Sequence, residues 1–356
     1  MQDSIKTSTR VDEIDFLRFL AALSVVFFHY MFRGYAADRS IMPYLILAPF
    51  AKYGYLGVEL FFMISGFVIL MTAARGSVRG FIISRVVRLY PAFWVCCTIT
   101  FIVTIAIGAP RFSATISQYL VNMTLLSDFV GVRSIDGAYW SLFVEIQFYA
   151  LVAGILIIGR IHQAQLFLIV WLFASVALEI VKIGPLRTLF LVDYSAFFIA
   201  GATCFLIRSQ GVSRTRVGLF ALCWPWALFG ALRGLPEFEK NYNMEISGVI
   251  VACMITVFFL AMLVISVKRT DYRGSRRFRV VGALTYPLYL LHENIGFMIF
   301  NIAYPIINPH ILLWGTIILI LGIAHLVNVF VEQRFSLPMK HALNGLANRL
   351  RSPSPS

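Results

Sequence analysis

Apolar stretches of about 20 residues, the length that crosses about 30 Å of hydrocarbon as a helix, recur almost end to end along this chain of 356 residues. No other feature limits the fold as strongly. In lipid every backbone N–H and C=O must find its partner within the structure, so a run of this length folds as a helix. Ten such helices are read, at 14–33, 52–73, 90–108, 139–159, 164–183, 189–207, 217–235, 246–267, 280–302 and 311–332. The expected fold class is therefore all-α, a polytopic transmembrane helix bundle. Residues 1–13 form a short N-terminal segment, 14–333 the membrane domain and 334–356 a basic tail whose end, from Asn348, is expected to fray.

A net charge of +13 would suggest a nucleic-acid partner in a soluble protein, but here its distribution reports orientation. With ten helices both termini lie on one side of the membrane. That side carries 20 Lys and Arg residues against nine on the other, with Arg18 left inside a span. The positive-inside rule then places both termini in the cytoplasm, and the expected surroundings are membrane lipids, with no nucleic acid. Asp12, Glu13, Asp15 and Arg18 interrupt the first apolar approach, which is unlike a cleaved signal peptide. The five cysteines all fall in apolar spans without metal-like spacing, so they read as packing residues, and no metal is expected.

Ionisable residues inside spans cost free energy and tend to be kept for function. Arg18 and His29 lie in the first helix, eleven residues apart. At about 100° per residue they return to within about 20° of one face, about 16 Å apart along the axis. That spacing suits an anion anchor near one surface and a proton acceptor deeper in. Four further constellations stand out. Arg85 and Arg88, before Tyr90-Pro91, could converge on a phosphate through forked hydrogen bonds or simply anchor the helix among lipid headgroups. Trp140, Ser141, Glu145 and Tyr149 open the fourth helix, the last three stacking on one face. Glu145 could orient a substrate hydroxyl, pair with a cation or make a structural hydrogen bond. Tyr289 and His292 are neighbours in the ninth helix beyond Pro287, which frees backbone groups there. Last, Glu59 precedes Ser65-Gly66-Phe67, where Gly66 favours close helix packing.

Taken in order, these residues resemble the acyltransferase 3 family of multi-pass membrane acyltransferases. The likeness runs from about residue 14 to 334: Arg18 and His29, Gly57-Val58 through Ser65-Gly66-Phe67, Arg85 and Arg88 before Tyr90-Pro91, Trp140-Ser141-Leu142 with Glu145 and Phe148-Tyr149, and Tyr286-Pro287-Leu288-Tyr289-Leu290-Leu291-His292. The sequence departs from the family pattern at Phe16 and Phe19, where glycines are usual, and at Glu332-Gln333-Arg334, where a Glu-x-Pro pattern is usual. The extracytoplasmic hydrolase-like domain of some members is not expected.

The resemblance implies a membrane O-acetyltransferase that moves an acyl group, most often acetyl, from cytoplasmic acyl-coenzyme A to a hydroxyl of a carbohydrate acceptor. It implies His29, Arg18 and Glu145 as catalytic residues and Arg85, Arg88 and Tyr90 as the coenzyme A site. Trp140, Ser141, Tyr149, Tyr289 and His292 would bind the acceptor. A bacterial surface polysaccharide or its lipid-linked precursor, at the inner or plasma membrane, is the expected acceptor. Direct transfer and a covalent acyl-enzyme both remain open, as does a transporter or flippase of lipid-linked sugars without acyl-transfer chemistry.

Overall fold

The structure, a computed structural model, describes residues 11–74, 76–267 and 276–349. Lys6, Arg10, Arg75, the charged residues of 268–275 and residues 350–356 lie outside the described residues. Twelve helices form the described chain: α1 Asp12–Ala36, α2 Ala48–Ala73, α3 Val78–Ile107, α4 Ile116–Asn122, α5 Gly137–Ile157, α6 Ile161–Val181, α7 Gly184–Leu189, α8 Ser195–Gln210, α9 Arg214–Tyr242, α10 Gly248–Val267, α11 Arg276–Ala303 and α12 Pro309–Arg349. Each of the ten expected spans coincides with a helix. Eight are long and apolar enough to cross a membrane. The other two, α8 and α11, are the innermost. Every residue of α8 from Ser195 to Ile207 is buried, and along α11 Leu288, Leu290, Leu291, Phe297, Met298 and Phe300 have no exposed surface.

Small residues set this core. The backbone of α2 at Met63 and Gly66 lies directly against that of α8 at Phe198 and Gly201, so any Cβ on either glycine would overlap a facing carbonyl. Without a side chain between them, the two helices gain van der Waals contact that lipid would not otherwise supply. The first helix wedges between α2 and α11. On the outside the pattern inverts: Ile180, Val249 and Ile318 are 76%, 73% and 68% exposed. Faces this apolar belong against hydrocarbon rather than water. The chain is a multi-pass membrane protein.

Two helix boundaries differ from the sequence reading. The third helix begins at Val78, twelve residues before the expected start at 90, because Ser77 caps it by accepting a hydrogen bond from Gly80 N at 3.1 Å. Arg85 and Arg88 therefore sit inside the helix, two to three turns from its start. The last helix continues past the expected end at 332 through Arg349, held by Arg79, whose Nη1 donates to Asn348 Oδ1 at 2.6 Å. Cys96, Cys97, Cys204 and Cys223 are buried and free, as packing residues should be, whereas Cys253 faces outward.

Two π turns interrupt the helices, at His29–Arg33 in α1 and Asn328–Glu332 in α12. Such one-turn bulges re-aim side chains and concentrate at functional sites. The second has a visible partner. Pro287 has no N–H, so the carbonyl of Ala283 lacks its helical donor and accepts from Asn328 Nδ2 at 3.4 Å instead.

Candidate active site

Three cavities follow one another through the bundle. The first, about 1040 Å³, opens at the end where the described termini lie and reaches Arg18, Arg88 and Glu332. The second, about 750 Å³, lies deeper and shares Arg18 and Arg88 with the first. The third, about 840 Å³, opens toward the opposite end and contains His29, Arg33, Glu59 and Trp140. Val58 and Tyr289 line both the second and the third, forming the wall between them.

The middle cavity is cationic at one end and hydroxyl-rich at the other. Arg18 from α1 and Arg85 and Arg88 from α3 line it together. Aromatic faces and carboxylates contact their guanidinium groups. Arg85 lies 5.7 Å from the Tyr149 ring centre and Arg88 lies 5.3 Å from that of Tyr286. Arg88 Nη1 also pairs with Glu332 Oε1 at 2.8 Å, and Asn328 Nδ2 fixes the other oxygen of Glu332 at 2.6 Å. Glu145 accepts from Ser65 Oγ at 2.7 Å. Ser141 Oγ and the Tyr289 hydroxyl share a hydrogen bond of 2.8 Å beside them.

His29 lies at the inner edge of the third cavity, and its hydrogen bonds assign its tautomer. His292 Nδ1 is 2.9 Å from the Tyr289 carbonyl, which only accepts, so Nδ1 carries the proton and Nε2 accepts. His29 Nδ1 faces that Nε2 at 3.0 Å and the Val25 carbonyl at 2.9 Å, two acceptors. Nδ1 of His29 therefore donates, leaving Nε2 as the ring nitrogen that faces away from His292. Opposite Nε2, at 3.3 Å, stands Glu293 Oε2. Glu293 is fixed in turn by Arg33, which also donates through Nε to the Tyr242 hydroxyl at 3.1 Å. Because both belong to the π turn, His29 and Arg33 present side chains to the same carboxylate. Gly137 leaves the room Glu293 needs, since a Cβ there would overlap its carboxyl group. Just before α5, Asp136 accepts from Ala138 N at 2.9 Å and Asn294 N at 3.0 Å. Burial first, and then the Glu293 carboxylate, raise its pKa above the ordinary range.

The structure gathers Arg18, Arg85, Arg88, Ser141, Glu145, Tyr149 and Tyr289 around one cavity, and His29 and Trp140 around the next. Two expected residues stand elsewhere. The Tyr90 hydroxyl donates to the Thr124 carbonyl at 2.8 Å, facing the loop outside the cavities. His292 is fully buried behind His29 and orients that ring rather than lining a cavity. Sequence reasoning missed Glu293, Arg33, Ser65 and Tyr286 as site residues. Glu293 carried the same sign as Arg18 and His29, an ionisable group inside a span, and adjoined His292, whereas Ser65 reads from the sequence as a packing residue. Of the other acids in or beside the spans, Glu332 holds Arg88, while Glu179 and Asp193 join Arg187 and Arg233 in an ion-pair cluster. Glu59 lines the third cavity, and its buried Oε2 has no hydrogen-bond partner among the described residues.

Comparison with known proteins bears on the chain as a whole. The family described as Acyltransferase domain, of the acyltransferase 3 type, matches residues 11–330. The chain is 24% identical over 349 residues to a protein named O-acetyl transferase of Shigella phage Sf6, covering 90% of this chain and 95% of that protein. It is 27% identical over 173 residues to Nodulation protein 10 of Rhizobium leguminosarum bv. viciae, covering 42% of this chain and 45% of that protein. No solved structure matches it.

Proposed function

The chain belongs to the acyltransferase 3 family, and we propose that it is a membrane O-acetyltransferase whose donor and acceptor enter from opposite ends of the bundle. Acetyl-coenzyme A enters from the end bearing the termini, which charge asymmetry assigns to the cytoplasm. Arg18, Arg85 and Arg88 bind its phosphates, for which forked, charge-assisted hydrogen bonds are suited. The slim pantetheine arm then extends through the middle cavity toward Val58 and Tyr289. The acceptor, a hydroxyl of a bacterial surface polysaccharide or its lipid-linked precursor, occupies the third cavity beside Glu59 and Trp140. The observation that carries this reading is the shared wall: arginines line one side of Val58 and Tyr289, and His29 lies on the other.

Transfer is direct in this reading. The acceptor oxygen bonds to the thioester carbonyl carbon as His29 Nε2 takes its proton, the C–S bond breaks, and the thiolate leaves toward the donor side. The proton then passes from the imidazolium to the thiolate. While it rests on Nε2, Glu293 supplies the counter-charge. Base assistance of this type is worth about 10² to 10⁴ in rate. His29→Ala is expected to abolish acetylation of a glycan acceptor, followed as free thiol release, while coenzyme A affinity and membrane insertion stay normal. Near-wild-type turnover in that variant rejects the assignment.

A further inference from the structure

A fourth cavity, about 550 Å³, lies behind the Arg33–Glu293 pair, on the end of the bundle opposite the termini. Four arginines line it: Arg33, Arg39, Arg111 and Arg133. That concentration is unexpected, because this side carries only nine basic residues in all and the positive-inside rule disfavours them here. Two of the four have acidic partners. Arg33 pairs with Glu293, and Arg111 Nη2 pairs with Asp38 at 2.8 Å. The guanidinium groups of Arg39 and Arg133 have no protein partner among the described residues, although their backbones are pinned. Asn301 Nδ2 donates to the Arg39 carbonyl at 2.9 Å. Gln118 Nε2 and Asn122 Nδ2 donate to the Arg133 carbonyl at 3.0 and 3.1 Å. The Ser134 hydroxyl, buried at the same cavity, also lacks a partner. Arg39, half-buried, and Arg133, exposed, stand on fixed backbone beside a free hydroxyl, an arrangement suited to an oxyanion.

We propose that this cavity binds an acidic group of the acceptor, a carboxylate or phosphodiester, and that the glycan acetylated by this protein is anionic. The proposal rests on the acyl-transfer reading only in naming the acceptor as the source of the anion. Arg33 and Glu293 form the partition between this cavity and His29, so an anchored acidic residue would hold a nearby sugar hydroxyl on the His29 side. The shared oxyanion chemistry has a second source in the headgroup of an anionic lipid, and the test separates the two.

The full chain in nanodiscs of phosphatidylcholine, with the donor end saturated by coenzyme A, is titrated with a glucuronate-containing oligosaccharide and with its carboxyl-reduced, neutral counterpart. The acidic sugar should bind saturably, more weakly as salt rises, and at least 10-fold more tightly than the neutral one. Arg39→Gln with Arg133→Gln should remove most of that preference, and the corresponding Lys pair should restore part of it. His29→Ala should keep the preference for the acidic over the neutral sugar, whatever it does to the affinity for both, which separates this site from transfer itself. Equal binding of both sugars, or an unchanged preference in the Gln pair at unchanged coenzyme A affinity, overturns the proposal. So does loss of sugar binding when phosphatidylglycerol replaces part of the phosphatidylcholine, since the occupant would then be lipid.

Discussion

The residue that most repays attention is Glu293, which touches His29 Nε2 and is held by Arg33. An imidazole that gains a proton inside a low-dielectric bundle needs a counter-charge already in place, because water cannot reorganise to supply one. Glu293→Gln keeps the shape and removes the charge. Acetyl transfer should slow by at least about 10-fold, part of the 10² to 10⁴ that assisted proton transfer supplies, with kcat falling and KM for acetyl-coenzyme A unchanged. Steady-state kinetics at several donor concentrations checks the split; a change confined to KM would assign Glu293 to donor binding instead. Glu293→Asp, which keeps the charge on a shorter arm, should recover part of the rate.

Among the elements, α2 and α8 matter most because they carry the rest of the bundle. Their backbones meet at Gly66 and Gly201, where a facing carbonyl occupies the space of a Cβ. A Gly201→Leu change forces the helices apart and should cost at least the 1–3 kcal/mol typical of overpacking. The measurement is thermal unfolding in detergent, with a markedly lower Tm or loss of folded protein expected. Gly154 in α5 is the internal control: nothing lies within 4 Å of its Cβ position, and Gly→Ala in a helix is worth about 0.5–1 kcal/mol in the favourable direction. Equal effects at the two positions would mean that the α2–α8 approach contributes nothing to the fold. The π turns belong to this scale too. The one in α1 turns both His29 and Arg33 to Glu293, and the one in α12 carries Glu332 to Arg88.

For the whole molecule, the question is which solvent each cavity meets. In the orientation proposed from charge asymmetry the termini face the cytoplasm, so a reporter fused after Ser356 should be active only as a cytoplasmic marker. Accessibility gives a second readout. A cysteine in place of Met71, which lines the outermost cavity at the terminal end, should react with a membrane-impermeant thiol reagent from the cytoplasmic side and be shielded by coenzyme A. One in place of Phe238, in the third cavity, should react only from the other face. Reversed labelling would exchange the donor and acceptor sides. No change in the active-site chemistry would then rescue a cytoplasmic donor entering at the arginines.

The sequence alone determined that this is a helical membrane bundle, where its helices lie, and which charged residues its spans contain. The reason is that hydrocarbon penalises polar groups so heavily that a span, and each charge kept inside one, shows in the order of residues. Arg18, Arg85, Arg88, Glu145 and His29 were legible in that way. Only the tertiary structure decided who meets whom. It took Tyr90 out of the site, made His292 a support for His29, and added Glu293 and Ser65. It also joined Arg88 to Glu332, 244 residues away. Such pairings depend on the rotation and close approach of helices, and on π turns whose bulge has no local sequence signal, so they arise only when the whole bundle packs.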